Sequence, residues 1–441
     1  MEFLPPYAHT STLSYLIKGI RGFKDILPGE VSTWQWVEQK AREIFHLYGY
    51  LEIRTPALEK LELFIRGVGA DTDIVQKEMY IIPDPREGDM ALRPEGTAPV
   101  MRAYVEHQIY ARGDKDRPYK VYYIGPMFRH ERPQAGRFRQ FHQIGAEVLG
   151  VEDPLVDAEV LALLRDFLTG VGVQDFQLQL NSVGCTNCRP AYREELKKYL
   201  KEHLNELCEN CRARYERNPL RVLDCKNPTC REVVLQAPLL RDFYCSTCKD
   251  HLQKLENLLQ ALNITYLINP RLVRGLDYYM RTAFEIVSSK LGAQNAIVGG
   301  GRYDGLSQDI GGPPVPGIGF AMGIERLISL LEIRPEGYVP DVFIAALGKE
   351  AKQEAFLLQN QLRSAEITAE IEYQEDRSLK SQLRTADKLK AHFVIMIGED
   401  ELKTGELTVK NMQEGTQEQI KREEIILHLK KKKITQGSFL P

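Results

Sequence analysis

Cysteine is absent from most of this chain. All eight cysteines lie between Cys185 and Cys248, and no other position of the 441 carries one. That confinement, in a chain of ordinary composition, argues against a disulfide framework spread through the fold. Long apolar runs are also missing: none approaches the roughly 18 residues needed to cross a bilayer, so no membrane span is expected. The opening residues, Met-Glu-Phe-Leu-Pro-Pro-Tyr, lack a basic segment followed by an apolar core. A secretory leader is therefore not expected, and a cytoplasmic location is. Positive charge is not in excess either, with 58 Lys and Arg against 61 Asp and Glu. Nucleic-acid binding must then come from a local patch, not from a global field. Finally, the chain has neither a Walker A loop nor a Gly-x-Gly-x-x-Gly between strand and helix. A nucleotide would be gripped by arginines on antiparallel strands instead of by a helix N-terminus.

What is present is an ordinary globular composition, 43% hydrophobic and 27% charged, over a length that suits two or three domains. The most informative stretch runs from Phe128 to Gln143. It holds Arg129, Arg132, Arg137 and Arg139, with Glu131 the only acid among them, and Pro133 and Gly136 put a loop in the middle. Apolar runs before and after make it a β-hairpin whose loop carries charge. Guanidinium groups match phosphate oxygens in a planar, two-pronged way, so this hairpin suits a polyphosphate; the plainer alternative is a solvated charged loop. On the outgoing strand, alternation points Gln143, Gly145 and Glu147 one way and His142, Ile144, Ala146 and Val148 the other. Gly145 then leaves a gap in which a small polar ligand could sit.

The cysteines form four pairs: Cys185/Cys188, Cys208/Cys211, Cys225/Cys230 and Cys245/Cys248. Short spacings of this kind let one turn place two thiolates on a tetrahedral ion. One or two structural zinc ions are expected; which pairs combine is not readable from spacing.

Along the chain, residues 1–16 read as a loose leader. Trp34–Tyr48 has the apolar spacing of an amphipathic helix, Leu51–Thr55 that of a strand stopped by Pro56, and Leu155–Leu168 a helix started by Pro154. The cysteine segment, 185–251, reads as a mostly helical insertion into a larger mixed α/β domain. After a linker near Arg334–Pro340, strands alternate with helices from Val342 onward, which predicts a small α/β domain with a mainly parallel sheet over 340–429. Lys430–Lys433 open a basic tail, 430–441.

Four further segments carry chemistry-bearing residues beside glycines. Leu92–Thr97 offers Glu95 and Thr97. Leu272–Tyr279 offers Arg274, Asp277, Tyr278 and Tyr279. Gly299–Gly305 carries Arg302 and Tyr303, and Gly317–Leu327 runs from a glycine-rich strand into a helix with Arg326 in its first turns. Taken singly, a glycine-rich turn is more often only a turn.

Together these segments resemble the class II aminoacyl-tRNA synthetases. Leu-Val-Arg-Gly-Leu-Asp-Tyr-Tyr at 272–279 and Gly-Gly-Arg-Tyr-Asp-Gly-Leu at 300–306 narrow the resemblance to the histidyl-tRNA synthetase family, over about residues 18–428. The resemblance implies a catalytic domain built on an antiparallel sheet (17–184 and 252–333), an insertion domain at 185–251 and a C-terminal anticodon-binding domain. It implies that Arg129, Glu131, Arg137 and Arg326 bind ATP with Mg2+, and that Arg274, with Arg129 and Arg326, is catalytic beside the α-phosphate. It implies that Glu95, Thr97, Gln143 and Glu147 surround histidine, with Tyr279 and Tyr303 near the imidazole. Partners implied are histidine, tRNA(His) and a second copy of the chain, with the strand ending at Pro56 at the dimer interface. Cysteine-rich metal binding is not a general feature of the family, so zinc rests on the spacings alone.

Three other readings compete, one of them a synthetase for another amino acid. A catalytically idle paralogue, a regulatory subunit of histidine biosynthesis, typically lacks the C-terminal domain and departs from the motif that carries Arg274. A zinc-dependent nucleic-acid-binding module would leave the arginine hairpin and both tyrosine motifs without a purpose.

Overall fold

The computed structural model describes residues 16–435 except 113–116, 135, 293–294, 334, 336 and 375, with no account of the side chains of 433–435. Of the expected leader only residue 16 falls inside that range, and 436–441 of the basic tail lie outside it. The chain divides into two compact units, the first dominated by Thr33–Ile333 and the second by Arg334–Pro441.

The first unit is organised by an eight-stranded sheet. Its strands are β1 (Leu51–Glu52), β2 (Tyr119–Phe128), β3 (Gln140–Leu149), β4 (Gln177–Ser182), β5 (Leu267–Ile268), β6 (Met280–Val287), β7 (Ala296–Arg302) and β8 (Gly317–Gly323), in the spatial order β1-β2-β3-β8-β7-β6-β4-β5. Only the two edge pairings, β1–β2 and β4–β5, are parallel. The predicted hairpin is β2–β3, paired in unbroken register from Tyr119↔Leu149 to Phe128↔Gln140.

Helices cover one face of this sheet. They are α1 (Pro28–Leu47), α3 (Pro154–Gly170) and α7 (Ser246–Ala261). Asp153 caps α3 by accepting from the Leu155 amide at 2.9 Å, and Pro154 sits at its first position, where a missing N–H costs nothing. Phe45, Leu164, Phe167, Leu255 and Leu259 pack there against Ile144, Ala146, Val148, Phe284 and Phe320. The alternation on β3 is thus observed: its apolar face is core, and Gln143 and Glu147 lie on the opposite face. A short helix, α2 (Thr97–Glu106), belongs to that opposite side.

Between β4 and β5 the cysteine segment folds as α4 (Arg189–Glu202), α5 (Glu209–Arg217), α6 (Pro228–Gln236) and the start of α7, joined by 3-10 turns. The expected boundary at 251 falls within α7. α7 continues to Ala261, because Leu255 and Leu259 on its later turns belong to the core under the sheet.

The second unit has strands β9 (Val342–Ala346), β10 (Ala369–Ile371), β11 (Phe393–Ile397), β12 (Glu406–Asn411) and β13 (Gln417–Lys421), in the order β10-β9-β11-β12-β13. Helices α9 (Lys349–Ser364) and α10 (Leu379–Lys388) make the crossovers; α8 (Ile324–Leu330) belongs to the first unit. The sheet is less parallel than the sequence suggested. β9 pairs in parallel with β10 and β11, but β11–β12 and β12–β13 are antiparallel. The five residues between β12 and β13 are too few for a crossover, which needs a dozen or so. Lys430–Lys433, where a basic tail is expected to open, lie in α11 (Ile425–Thr435), which is anchored through buried Ile425 and Leu429.

Candidate active site

One row of paired residues forms the floor of the site. Glu285 on β6 faces Gly299 on β7, Gly299 faces Ala321 on β8, Ala321 faces Gly145 on β3, and Gly145 faces Tyr123 on β2. Paired residues share a sheet face, so three small side chains lie between Glu285 and Tyr123. Arg274 lies across Gly299, where an added Cβ would stand 2.5 Å from its Cζ. Gly145 does not leave the gap expected of it. Tyr123 fills it, with an added Cβ only 2.7 Å from the ring Cε2 and closer to the hydroxyl end. Alternation along β3 alone could not reveal this, because the occupant comes from the neighbouring strand.

Above this floor is a cavity of about 220 Å³. It is lined by nine of the sequence-predicted residues: Glu95, Thr97, Arg129, Glu131, Arg137, Gln143, Arg274, Tyr279 and Arg326. Each reaches it for a local reason. Arg129 follows the end of β2; its guanidinium lies 5.2 Å from the Phe141 ring, and its Nε donates to the Pro94 carbonyl at 2.9 Å. Arg137 pairs with Glu131 at 2.6 Å across the hairpin loop. Arg326 sits on α8 directly after β8, with Nη1 donating to the Ala296 carbonyl at 2.8 Å. Burial, and then the charges of Arg137 and Arg129, pull the Arg326 pKa down from its ordinary value. Glu131 and Glu285 offset part of this repulsion, and a bound polyanion would offset more.

At the other end Gln143 is buried, and its Oε1 has no hydrogen-bond partner in the structure. An unpaired buried acceptor is costly, and it suits a ligand donor such as an ammonium group. Glu95 is buried too. Its carboxylate accepts from the amides of Thr97 at 2.8 Å and Ala98 at 2.9 Å, which caps α2. Burial raises its pKa, against the pull of those amides and of Arg129. Arg274 pairs with Glu285 and lies 5.5 Å from the centre of the Tyr279 ring.

Glu147 and Tyr303 stand apart from the other predicted residues, behind the cavity wall. Glu147 is fully buried and accepts from the Thr97 hydroxyl at 2.8 Å and the Tyr303 hydroxyl at 2.5 Å. Burial pushes its pKa up to about 8, so it is largely neutral at pH 7. Its link to the cavity runs through Thr97. Among the lining residues not named as site members from sequence are Tyr278, Phe141, Glu285 and Glu325. Glu285 had a signal: it is the one acid in a strand, Met280–Val287, that is otherwise mostly apolar.

The eight cysteine sulfurs gather in two groups. Cys185, Cys188, Cys245 and Cys248 form one, and Cys208, Cys211, Cys225 and Cys230 the other, with all sulfurs of a group within 4.8 Å of one another. The outermost pairs combine, and so do the inner two.

The chain is similar to known proteins along most of its length. A family model described as histidyl-tRNA synthetase matches residues 22–327, and one described as an anticodon-binding domain matches 341–432. A histidine–tRNA ligase of Geobacter metallireducens is 54% identical over 405 residues, covering 92% of this chain and 97% of the relative. One from Syntrophotalea carbinolica is 52% identical over 412 residues, covering 93% and 97%. Among solved structures, the apo histidyl-tRNA synthetase of S. aureus matches with a TM-score of 0.79 at 38% identity, over 94% of this chain and 100% of that one.

Proposed function

The chain belongs to the histidyl-tRNA synthetase family, and from that premise we propose how its own residues carry the reaction. It is a histidine–tRNA ligase. Histidine and ATP give histidyl-adenylate and pyrophosphate, and a hydroxyl of the terminal adenosine of tRNA(His) then takes the histidyl group and releases AMP.

The observation that carries the residue assignment is the pairing, in one cavity, of clustered arginines at one end with the unpartnered Gln143 acceptor at the other. The polyphosphate goes to Arg129, Arg137 and Arg326, where it relieves their mutual repulsion. The histidine ammonium goes to Gln143 Oε1 and the carboxylate of Glu95, and the imidazole to the side of Tyr279, Thr97 and the buried Glu147–Tyr303 pair. Both imidazole nitrogens can hydrogen-bond, so a site that pairs both rejects apolar analogues by about 10⁴ or more. No editing site is then needed.

In the first step an oxygen of the histidine carboxylate bonds to the α-phosphorus and the bond to pyrophosphate breaks. No protein nucleophile is required. Arg274, held over Gly299 between Glu285 and Tyr279, neutralises charge that develops on a non-bridging oxygen. The cavity also presents the carboxylates of Glu131, Glu285 and Glu325, hard oxygen donors that fit magnesium. That ion, when bound, supplies further neutralisation of the polyphosphate. In the second step the adenylate phosphate accepts the proton of the attacking hydroxyl; a variant that loses transfer alone, through removal of a protein base, would count against this.

The second unit, from its match over 341–432, is the part that binds the anticodon arm. The two cysteine groups are structural zinc sites, since four thiolates leave no open coordination position. The chain is read as a cytoplasmic homodimer. No helix among the described residues is long and apolar enough to cross a membrane. The dimer reading is supported by the edge position of β1, which leaves Leu51 and, just before it, Leu47 exposed.

The test is histidylation of tRNA(His) by the intact chain and by Arg274→Ala. The variant should lose adenylate formation while tRNA binding stays near that of the parent. Full activity in the variant would remove Arg274 from the mechanism. No activity in either, with tRNA still bound, would favour a binding module.

A further inference from the structure

We propose that the two cysteine groups each hold one arginine against one end of the catalytic loop 274–279, the first group setting histidine affinity and the second setting turnover. This rests on the zinc reading above.

The sulfur geometry fits metal better than disulfide. Neighbouring Sγ atoms stand at 3.6 Å (Cys185–Cys188), 3.8 Å (Cys185–Cys245), 3.6 Å (Cys188–Cys248) and 3.9 Å (Cys208–Cys225). Four sulfurs about 2.3 Å from a tetrahedral zinc are about 3.8 Å apart, whereas a disulfide needs about 2.05 Å. Backbone amides also donate to sulfur, Cys245 N–H to Cys188 at 3.2 Å and Cys208 N–H to Cys230 at 3.1 Å. Such outer hydrogen bonds stabilise ligating thiolates and orient them.

Each group has an arginine close to it in sequence, one directly after a cysteine and one four residues before. Arg189 follows Cys188 directly and opens α4; its Nε donates to the Val183 carbonyl at 2.9 Å and its Nη2 to the carbonyl of Tyr279. Arg221 lies in the 3-10 turn Pro219–Asp224 that runs into Cys225. Its Nη1 donates to the carbonyl of Arg274 at 3.0 Å, and its Nη2 lies 3.5 Å from Asp73, which also pairs with Arg214 at 2.5 Å. Both arginines face a second cavity, of about 290 Å³, whose wall includes Arg274, Asp277 and Tyr279. The loop 274–279 has no regular structure; Asn218 and the Val68 carbonyl hold its middle at Asp277, and the two arginine grips fix its ends. They differ in what they order. The Tyr279 grip sets a ring on the amino-acid side of the active site, and the Arg274 grip sets the guanidinium beside the reacting phosphate. Arg189 and Arg221 are therefore positioning residues.

The experiment counts zinc by plasma mass spectrometry on the full, tag-free chain and measures ATP–pyrophosphate exchange for Arg189→Ala, Arg221→Ala, Cys245→Ser and Cys225→Ser. The parent should carry two zinc ions. Arg189→Ala should keep both, raise the histidine KM about tenfold and leave kcat within about twofold; Arg221→Ala should keep both and lower kcat about tenfold at nearly constant KM. Arg189→Lys, which keeps one donor, should recover part of the affinity. Each serine variant should lose one zinc and reproduce the defect of its own arginine. If the serine variants do not fold, the arginine variants, with all eight sulfurs intact, still decide. Zinc retained with unchanged kinetics in both arginine variants, or with KM rising and kcat falling together in both, overturns the positioning claim alone. Less than about half a zinc per chain overturns the metal reading itself.

Discussion

Gly299→Ala is the smallest change that should disable the reaction. The new methyl would stand 2.5 Å from Cζ of Arg274 and 2.7 Å from its Nη1, closer still to Nη2. Ordinary contact between such atoms is about 3.5 Å, so the guanidinium must move by more than about 1 Å. It cannot move freely, because Glu285 holds it from the neighbouring strand and the Tyr279 ring lies to one side. A displacement of that size at a reacting centre costs about 10²-fold, and losing one charge-stabilising donor costs about 10²–10³-fold. The expected fall in kcat is therefore about 10²-fold, or about 2.7 kcal/mol of barrier. The backbone itself tolerates alanine, having no positive φ, but displacing Arg274 against its Glu285 partner should also cost about 1–3 kcal/mol of stability. The assay is histidine-dependent pyrophosphate exchange, with urea unfolding as the control. An exchange rate within about threefold of the parent, from equally stable protein, would refute the placement of Arg274 over Gly299.

Three further outcomes follow from the same geometry. Glu147, with its pKa raised to about 8 from an unfolded value of about 4.3, holds a proton when folded that the unfolded chain has lost. Stability should thus fall as pH rises from about 4.3 to about 8, by up to about 1.4 kcal/mol per pH unit, and level off above; Glu147→Gln should flatten that slope in urea titrations, and identical slopes would contradict it. Arg326→Ala removes one cation from the phosphate end, so the KM for ATP should rise about tenfold or more in exchange kinetics while the histidine KM stays within about twofold; the reverse pattern would reassign the residue. Asp157→Asn strips the counter-charge from Arg302, both being fully buried and 2.6 Å apart, with Thr282 and His251 on the same carboxylate; a loss of about 3–5 kcal/mol is expected on urea unfolding, and a loss under about 1 kcal/mol would show that the pair is dispensable.

The features legible in the sequence are those set by local chemistry. Pro133 and Gly136 between two apolar runs specify the hairpin, and the period of two along β3 assigns Ile144, Ala146 and Val148 to the core. What was not legible depends on partners distant in sequence. Tyr123 fills the space over Gly145 because the β2–β3 register sets the two opposite each other. Glu285 meets the site only because β6 pairs with β7 at Gly299. Glu147 sits on the predicted face yet behind the wall, where the hydroxyls of Thr97 and Tyr303 occupy it. The cysteine spacings predicted pairs but not their combination, which the arrangement of α4 to α7 decides. At the C-terminus a short helix, Glu399–Thr404, still follows β11, but the stretches joining β11 to β12 and β12 to β13 are both too short for a crossover, so both pairings are antiparallel.

The most direct test is ATP–pyrophosphate exchange with each of the twenty amino acids in turn. Exchange with histidine alone is the predicted result, since a site that pairs both ring nitrogens of histidine rejects side chains that cannot pair there. Exchange with none of them, from well-folded protein supplied with ATP and magnesium, would contradict the assignment of this cavity to histidine activation.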